Sequence, residues 1–177
     1  MSFFKKDYHY RTHVNISLIK FFLYAMIHLI YIFRRFFMTK SDCIFCKIAN
    51  GEIPSKTLYE DDSFRVILDI SPASKGHAII LPKNHASNIY ELSNEDAGKI
   101  MIVAKKVATV LKEVLSCDGM NILQNNGETA GQTVFHLHVH LIPRYKNDDV
   151  TIHWMAGKEG NTLEDTIVEK IQATMNE

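Results

Sequence analysis

The segment His136-Leu137-His138-Val139-His140-Leu141-Ile142 constrains this chain more than any other. Imidazole and apolar side chains alternate with a period of two, the period of a β-strand. The sequence therefore predicts a strand over Thr133 to Ile142, with three imidazoles on one face and Leu137, Val139 and Leu141 turned to a core. The chain has nine histidines, and three of them on one strand face argue against an idle polar surface. Two chemistries fit. A His-x-His strand can chelate zinc, and a catalytic zinc would then need a third ligand and an open position. Alternatively, one imidazole attacks phosphorus. Neutral imidazole is nucleophilic near neutral pH because its ordinary pKa is about 6.5, and a covalent intermediate splits one hard step into two. Neighbouring imidazoles and N–H donors would spread the developing charge.

Charge narrows the partner. Twenty basic and twenty acidic side chains cancel, and no basic stripe lies outside the first 35 residues. A protein that tracks a phosphate polymer carries such a stripe, so the expected ligand is small and anionic rather than a nucleic acid polymer. Cys43, Cys46 and Cys117 are too few and too unevenly placed for a disulfide framework. Cys43 and Cys46 form a C-x-x-C pair, which under reducing conditions is a metal half-site or a redox pair. With no secreted-domain signature elsewhere, the expected compartment is the cytosol.

Composition breaks near Met38. Residues 1–37 are crowded with aromatic, apolar and basic side chains. The apolar run Phe21 to Phe33, broken only by His28, is about 13 residues long, against the roughly 20 that cross a bilayer as a helix. Arg34-Arg35-Phe36-Phe37 is no signal-peptidase site. Three origins fit this extension: a weak membrane-surface anchor, a marginal spanning helix, or translated sequence upstream of a true start at Met38. The domain is expected over 38–177, and membrane contact by residues 1–37 is the less favoured reading.

From Cys43 onward the pattern is α+β. Cys43 to Asn50 reads as a short helix capped by Ser41 or Asp42 and stopped by Gly51. Phe64 to Ile70, His77 to Pro82 and Met120 to Gln124 read as strands, with Asn125 to Gln132 a glycine-bearing loop. A capping-box-like start at Ser93 to Asp96 opens a long helix, with Ile100, Val103, Ala104, Val107, Val110, Leu111, Val114 and Leu115 on one face. A last helix is expected from Thr162, with Leu163, Ile167, Val168, Ile171 and Met175 on one face.

Taken together, these motifs resemble the histidine-triad (HIT) family of nucleotide hydrolases and transferases. The resemblance spans Cys43 to about Tyr145. The H-φ-H-φ-H-φ-φ signature is complete at His136 to Ile142, led in by Gly131-Gln132-Thr133-Val134-Phe135. Cys43-Ile44-Phe45-Cys46-Lys47-Ile48, Glu60-Asp61-Asp62, Leu68-Asp69-Ile70-Ser71-Pro72 and Leu81-Pro82-Lys83-Asn84-His85 fall in family order. The Hint branch, in its bacterial C-x-x-C form, is the most similar.

The resemblance implies an antiparallel sheet of about five strands with one long helix and shorter ones, paired into a homodimer with a continuous sheet. It implies His138 as nucleophile, His140 as the neighbour that contacts phosphate and positions it, and His136 behind them. Asp69 would contact ribose. Ile44, Phe45, Ile48 and Ile70 would enclose the base, although such a cluster also reads as ordinary core. Asn125 would contact phosphate or ribose, and Gln132 and Thr133 would be donors beside the α-phosphate, Thr133 standing where close relatives have serine. His85 and His136 would join Cys43 and Cys46 around one structural Zn2+ per chain. His77 reads as structural, and Cys117 as a core or helix-end residue. The implied activity is hydrolysis of purine nucleoside monophosphate derivatives, such as adenosine phosphoramidate, at the α-phosphorus. The alternatives are a dinucleoside polyphosphate hydrolase or nucleotidyl transferase, a nucleotide-binding regulatory protein with little turnover, and a zinc hydrolase using all three histidines.

Overall fold

The computed structural model describes residues 42–152 and 165–176. The expected extension at 1–37, together with Leu163, His153 and Trp154, lies outside them. Helix α1 (Ile44–Ala49) comes first. Strands β1 (Thr57–Glu60), β2 (Phe64–Leu68) and β3 (Ala78–Pro82) follow. Then come the long helix α2 (Asn94–Leu115), β4 (Gly119–Leu123), a single 3-10 turn (Glu128–Ala130), β5 (Val139–Arg144) and α3 (Asp165–Met175). The five strands form one sheet in the order β1-β2-β3-β5-β4, antiparallel throughout. The α+β class and the sheet are as expected. Among the described residues no helix is long and apolar enough to cross a membrane.

Central β3 explains its own sequence. All five residues of Ala-Ile-Ile-Leu-Pro are buried, because the sheet is covered on both faces. Ala78 and Ile80 join Phe64, Val66, Leu137, Val139 and Leu141 under α2. Ile79 and Leu81 point the other way and meet Ile67, Ala49, Phe45 and Ile48 of the α1 side. Helix α2 buries Ile100, Val103, Ala104, Val107 and Leu111 as expected, whereas Val110 and Val114 are exposed. Those two sit at the margin of the apolar stripe, where the helix turns away from the sheet. Ser93 caps the helix, its Oγ accepting from Asp96 N–H at 3.0 Å.

Helix α1 begins differently from expectation. Its N-cap is Cys43, whose Sγ accepts from Cys46 N–H at 3.4 Å, so the thiol takes the place expected of Ser41 or Asp42. Arg65 of β2 ties the other end of α1 to the sheet. Its Nη1 donates to Ile48 O at 2.9 Å, and its Nη2 to both carboxylate oxygens of Glu60.

The expected strand from Thr133 forms only from Val139. Pairing with β3 reaches Ile80↔Val139 and stops. Two residues beyond Ile80 lies Pro82, which has no N–H to give, and its carbonyl accepts the His136 side chain at 3.0 Å. Residues 133–138 run outside the ladder. They are anchored by Leu137 N–H to Ala86 O and by Gln132, whose amide bonds Gly127 N, Ser87 O and Val134 O. The alternation of faces survives the loss of the ladder: Leu137, Val139 and Leu141 lie in the α2 core.

Packing on both faces makes β3 sensitive to volume. Ile80→Ala is expected to cost roughly 2–5 kcal/mol, and Ile80→Val only about 0.5–1.5 kcal/mol. Urea denaturation of both variants checks this; equal losses would mean that Ile80 does not fill a close-packed core.

Candidate active site and metal cluster

The imidazoles lie on the α1 side of the sheet, and hydrogen bonds assign each one a tautomer. His138 Nδ1 is 2.7 Å from His136 O. A carbonyl only accepts, so Nδ1 carries the proton and Nε2 keeps a free electron pair. His77 Nδ1 accepts from Ala73 N–H at 3.0 Å, which puts the His77 proton on Nε2. That nitrogen lies 2.9 Å from His140 Nδ1 and donates to it, so neutral His140 carries its own proton on Nε2. The site thus pairs a lone pair on His138 with an N–H donor on His140, the two rings T-shaped with centroids 4.8 Å apart.

The surroundings keep these rings neutral. Burial pushes His140 down to about 4; His138 and His77 add to the shift and Asp69 opposes it. Burial also lowers His138, against the His136 carbonyl and Asp69, which favour the charged form. His77 is lowered by burial and partly restored by Asp69. His77 is the site residue that sequence reasoning set aside. It follows Gly76, whose φ of +87° would strain any residue with a Cβ. It reaches His140 only because β3 and β5 pair, a contact 63 residues apart, and no local motif announces it.

Asp69 lies just beyond β2. Its Oδ1 accepts from Ser71 N–H at 2.8 Å, the local turn bond an aspartate at a strand end makes. Its Oδ2 is 3.8 Å from His77 Nδ1. Phe45 packs edge-on against His138 with ring centroids 5.0 Å apart. Phe45 and Ile48 are half-buried against the α1-side core. Ile44 is 50% and Ile70 97% exposed, so these two are not core residues. Asn125 Nδ2 lies 3.5 Å from Gly131 O, and Thr133 is exposed. Gln132 is 2% exposed, and its amide is fully used within the loop; it holds the turn ahead of the histidines.

His136 turns away from His140. Its Nε2–H donates to Pro82 O, which leaves the Nδ1 lone pair facing Cys43 Sγ and Cys46 Sγ, each at 3.4 Å. Cys46 Sγ is 3.3 Å from His85 Nδ1. The donor atoms of Cys43, Cys46, His85 and His136 all lie within 4.8 Å of one another. Two thiols cannot both donate well to one lone pair, whereas a single cation satisfies all four donors. Zn–S and Zn–N bonds of ordinary length at tetrahedral angles place S and N about 3.6 Å apart, close to these separations, so the residues fit a metal ion. Burial holds His136 down at about 4, opposed by its bond to Pro82. In a second donor set, Asp69, His77 and His140, both His77 nitrogens and His140 Nδ1 are already engaged in the hydrogen-bond chain.

Residues 50–147 match the family model described as the HIT domain, and the chain belongs to this family. It is 45% identical over 102 residues, 58% of this chain and 74% of the relative, to an adenosine 5'-monophosphoramidase of Schizosaccharomyces pombe. The crystal structure of SMU.412c from Streptococcus mutans UA159 superposes with a TM-score of 0.72 at 42% identity, covering 77% of this chain and 87% of that one. A Zn-bound histidine triad family protein from Mycobacterium smegmatis gives 0.61 at 32% identity, covering 78% and 98%.

Protonation should couple to stability with a definite sign. Folded His77 and His140 titrate below the value of about 6.5 that they have when unfolded. Their contribution is therefore complete above about pH 6.5 and is lost as pH falls below it, by up to about 1.4 kcal/mol per pH unit for each proton refused. Urea midpoints between pH 7 and 5 should fall, and more shallowly in His140→Gln. An identical slope in that variant would mean that folded His140 takes up its proton as readily as the unfolded chain.

Proposed function

We propose that this protein hydrolyses purine nucleoside monophosphate derivatives, phosphoramidates among them, at the α-phosphorus through a nucleotidyl-His138 intermediate. The observation that carries this reading is the 2.7 Å bond from His138 Nδ1–H to the His136 carbonyl, which directs the lone pair to Nε2. That nitrogen forms the bond to phosphorus as the bond to the leaving group breaks. The leaving group departs with the electron pair and takes a proton from water. His140 Nε2–H donates to a phosphoryl oxygen, where charge develops. A second water then attacks phosphorus, releases the nucleoside monophosphate and restores His138. The Schizosaccharomyces pombe relative, an adenosine 5'-monophosphoramidase, supports the choice of leaving group.

Asp69, through its Oδ2, is assigned to the ribose hydroxyls, and Ile44, Phe45, Ile48 and Ile70 to the base. The near-complete exposure of Ile70 supports a ligand-facing wall better than a core role. Asn125 and Thr133 are assigned to the phosphate side. Cys43, Cys46, His85 and His136 would hold one Zn2+. When bound, the ion supplies structural cross-linking and no chemistry on the substrate; the Mycobacterium smegmatis neighbour supports zinc as its identity. Strand β4 closes one edge of the sheet with Ile122 exposed on it, which supports a homodimer joined along that edge. We place the domain at 38–177, apart from the extension at 1–37, and the protein in the cytoplasm.

The test is purified protein offered adenosine phosphoramidate and diadenosine polyphosphates side by side. The phosphoramidate should turn over faster. His138→Asn should lower kcat on the order of 1,000-fold or more while adenosine monophosphate still binds. Near-normal turnover by that variant would remove His138 from the nucleophile's role.

A further inference from the structure

The described contacts of the His138 ring come from three places, and two of them belong to the metal cluster's own segments. Its Nδ1–H bonds the backbone carbonyl of His136, itself a cluster residue. The His138 ring lies T-shaped to that of Phe45, which lies between Cys43 and Cys46 in the first turn of α1. Phe45 also touches the His136 ring, with centroids 6.0 Å apart. The third contact is the His140 ring. Residues 133–138 have no ladder bonds to β3, so the peptide that carries the His136 carbonyl is held from two sides, by its own N–H, that of Leu137, on Ala86 O at 2.6 Å and by the pinned His136 ring. Pro82 O holds one ring nitrogen, and the two cysteines face the other.

The cluster is also reachable. Cys43 and His136 are 0% exposed, but Cys46 and His85 line a cavity of about 270 Å³, together with Lys47, Asn50, Lys83 and Asn84. A chelator or incoming ion can approach that half of the cluster without global unfolding.

We propose that Cys43, Cys46, His85 and His136 are positioning residues for the nucleophile: sharing one thiolate-binding divalent cation, they fix α1 to His136 and so hold His138 in its Nδ1–H form under Phe45. Metal occupancy then sets turnover and not merely stability, and exchange through the cavity beside Cys46 makes it a variable. This rests on His138 as the nucleophile, so its readout is chosen to be independent of turnover.

The full chain is compared as purified, after stripping by a chelator, and after reloading with one equivalent of Zn2+. Long-range proton–nitrogen spectra of the imidazoles, with His138 assigned by its absence in His138→Asn, report the tautomer; circular dichroism reports the fold. Stripping should leave the fold in place and KM within about threefold. It should replace the His138 Nδ1–H signature with mixed tautomers and lower kcat at least about tenfold, the scale expected when a reacting group is misplaced by less than an ångström. Reloading should restore both. A folded, stripped protein that keeps the Nδ1–H signature overturns the proposal, whatever its activity. If stripping unfolds the chain, Phe45→Ala with the ion still bound decides. Mixed His138 tautomers with a tenfold lower kcat support it, and an unchanged signature overturns it. Failure of His138→Asn to lose activity would instead strike the reading of the reaction and leave the tautomer result standing.

Discussion

The site depends on one hydrogen bond, from His138 Nδ1–H to the carbonyl two residues earlier. Neutral imidazole has two tautomers, and only one places its lone pair on Nε2. A carbonyl partner at 2.7 Å selects that tautomer without adding charge, and burial keeps the ring from protonating. His140 receives the opposite instruction from His77, whose own proton is placed by a backbone N–H from Ala73. Backbone groups at the two ends of the chain of rings thus determine which ring offers an electron pair and which offers a proton.

That arrangement needs a local departure from the sheet. In a continued ladder the His136 carbonyl would lie in the plane of strand pairing. Pro82 ends the ladder on the β3 side, its carbonyl captures the His136 ring, and Gln132 closes the turn ahead of it. The His136 carbonyl is then free to accept from its own neighbour's side chain, and the His136 ring is free to face the cysteines of α1. One irregular run of six residues thus supplies His138 to the histidine pair and His136 to the cysteine–histidine cluster.

Much of this was legible in the sequence. The alternation at His136 to Ile142 correctly separated Leu137, Val139 and Leu141 from the imidazoles, because facing is a property of each residue's extended backbone and not of the ladder. The signature also led to the family. The strand's early end was not legible, because it depends on a proline in the neighbouring strand. Strand β1 passed unread because Thr57, Leu58 and Glu60 are exposed on a sheet edge and show no clear alternation. The Cys43 cap replaced a Ser41 or Asp42 cap because the Cys43 thiol accepts the Cys46 N–H. His77 and His85 entered through tertiary contacts; the family resemblance pointed to His85, and nothing pointed to His77. Gln132, expected at the phosphate, is buried and bonds three backbone groups, a role in holding the loop that no local pattern announced.

The claim that carries the account is that phosphorus is attacked first by His138 Nε2 and only then by water. Two in-line displacements at one centre restore the configuration that a single displacement inverts. A substrate made chiral at the α-phosphorus with sulfur, turned over in isotopically labelled water, reports this directly. Retention of configuration in the released nucleotide is the predicted result. Inversion would mean that water attacks the phosphorus itself, and His138 would then be its general base rather than the nucleophile.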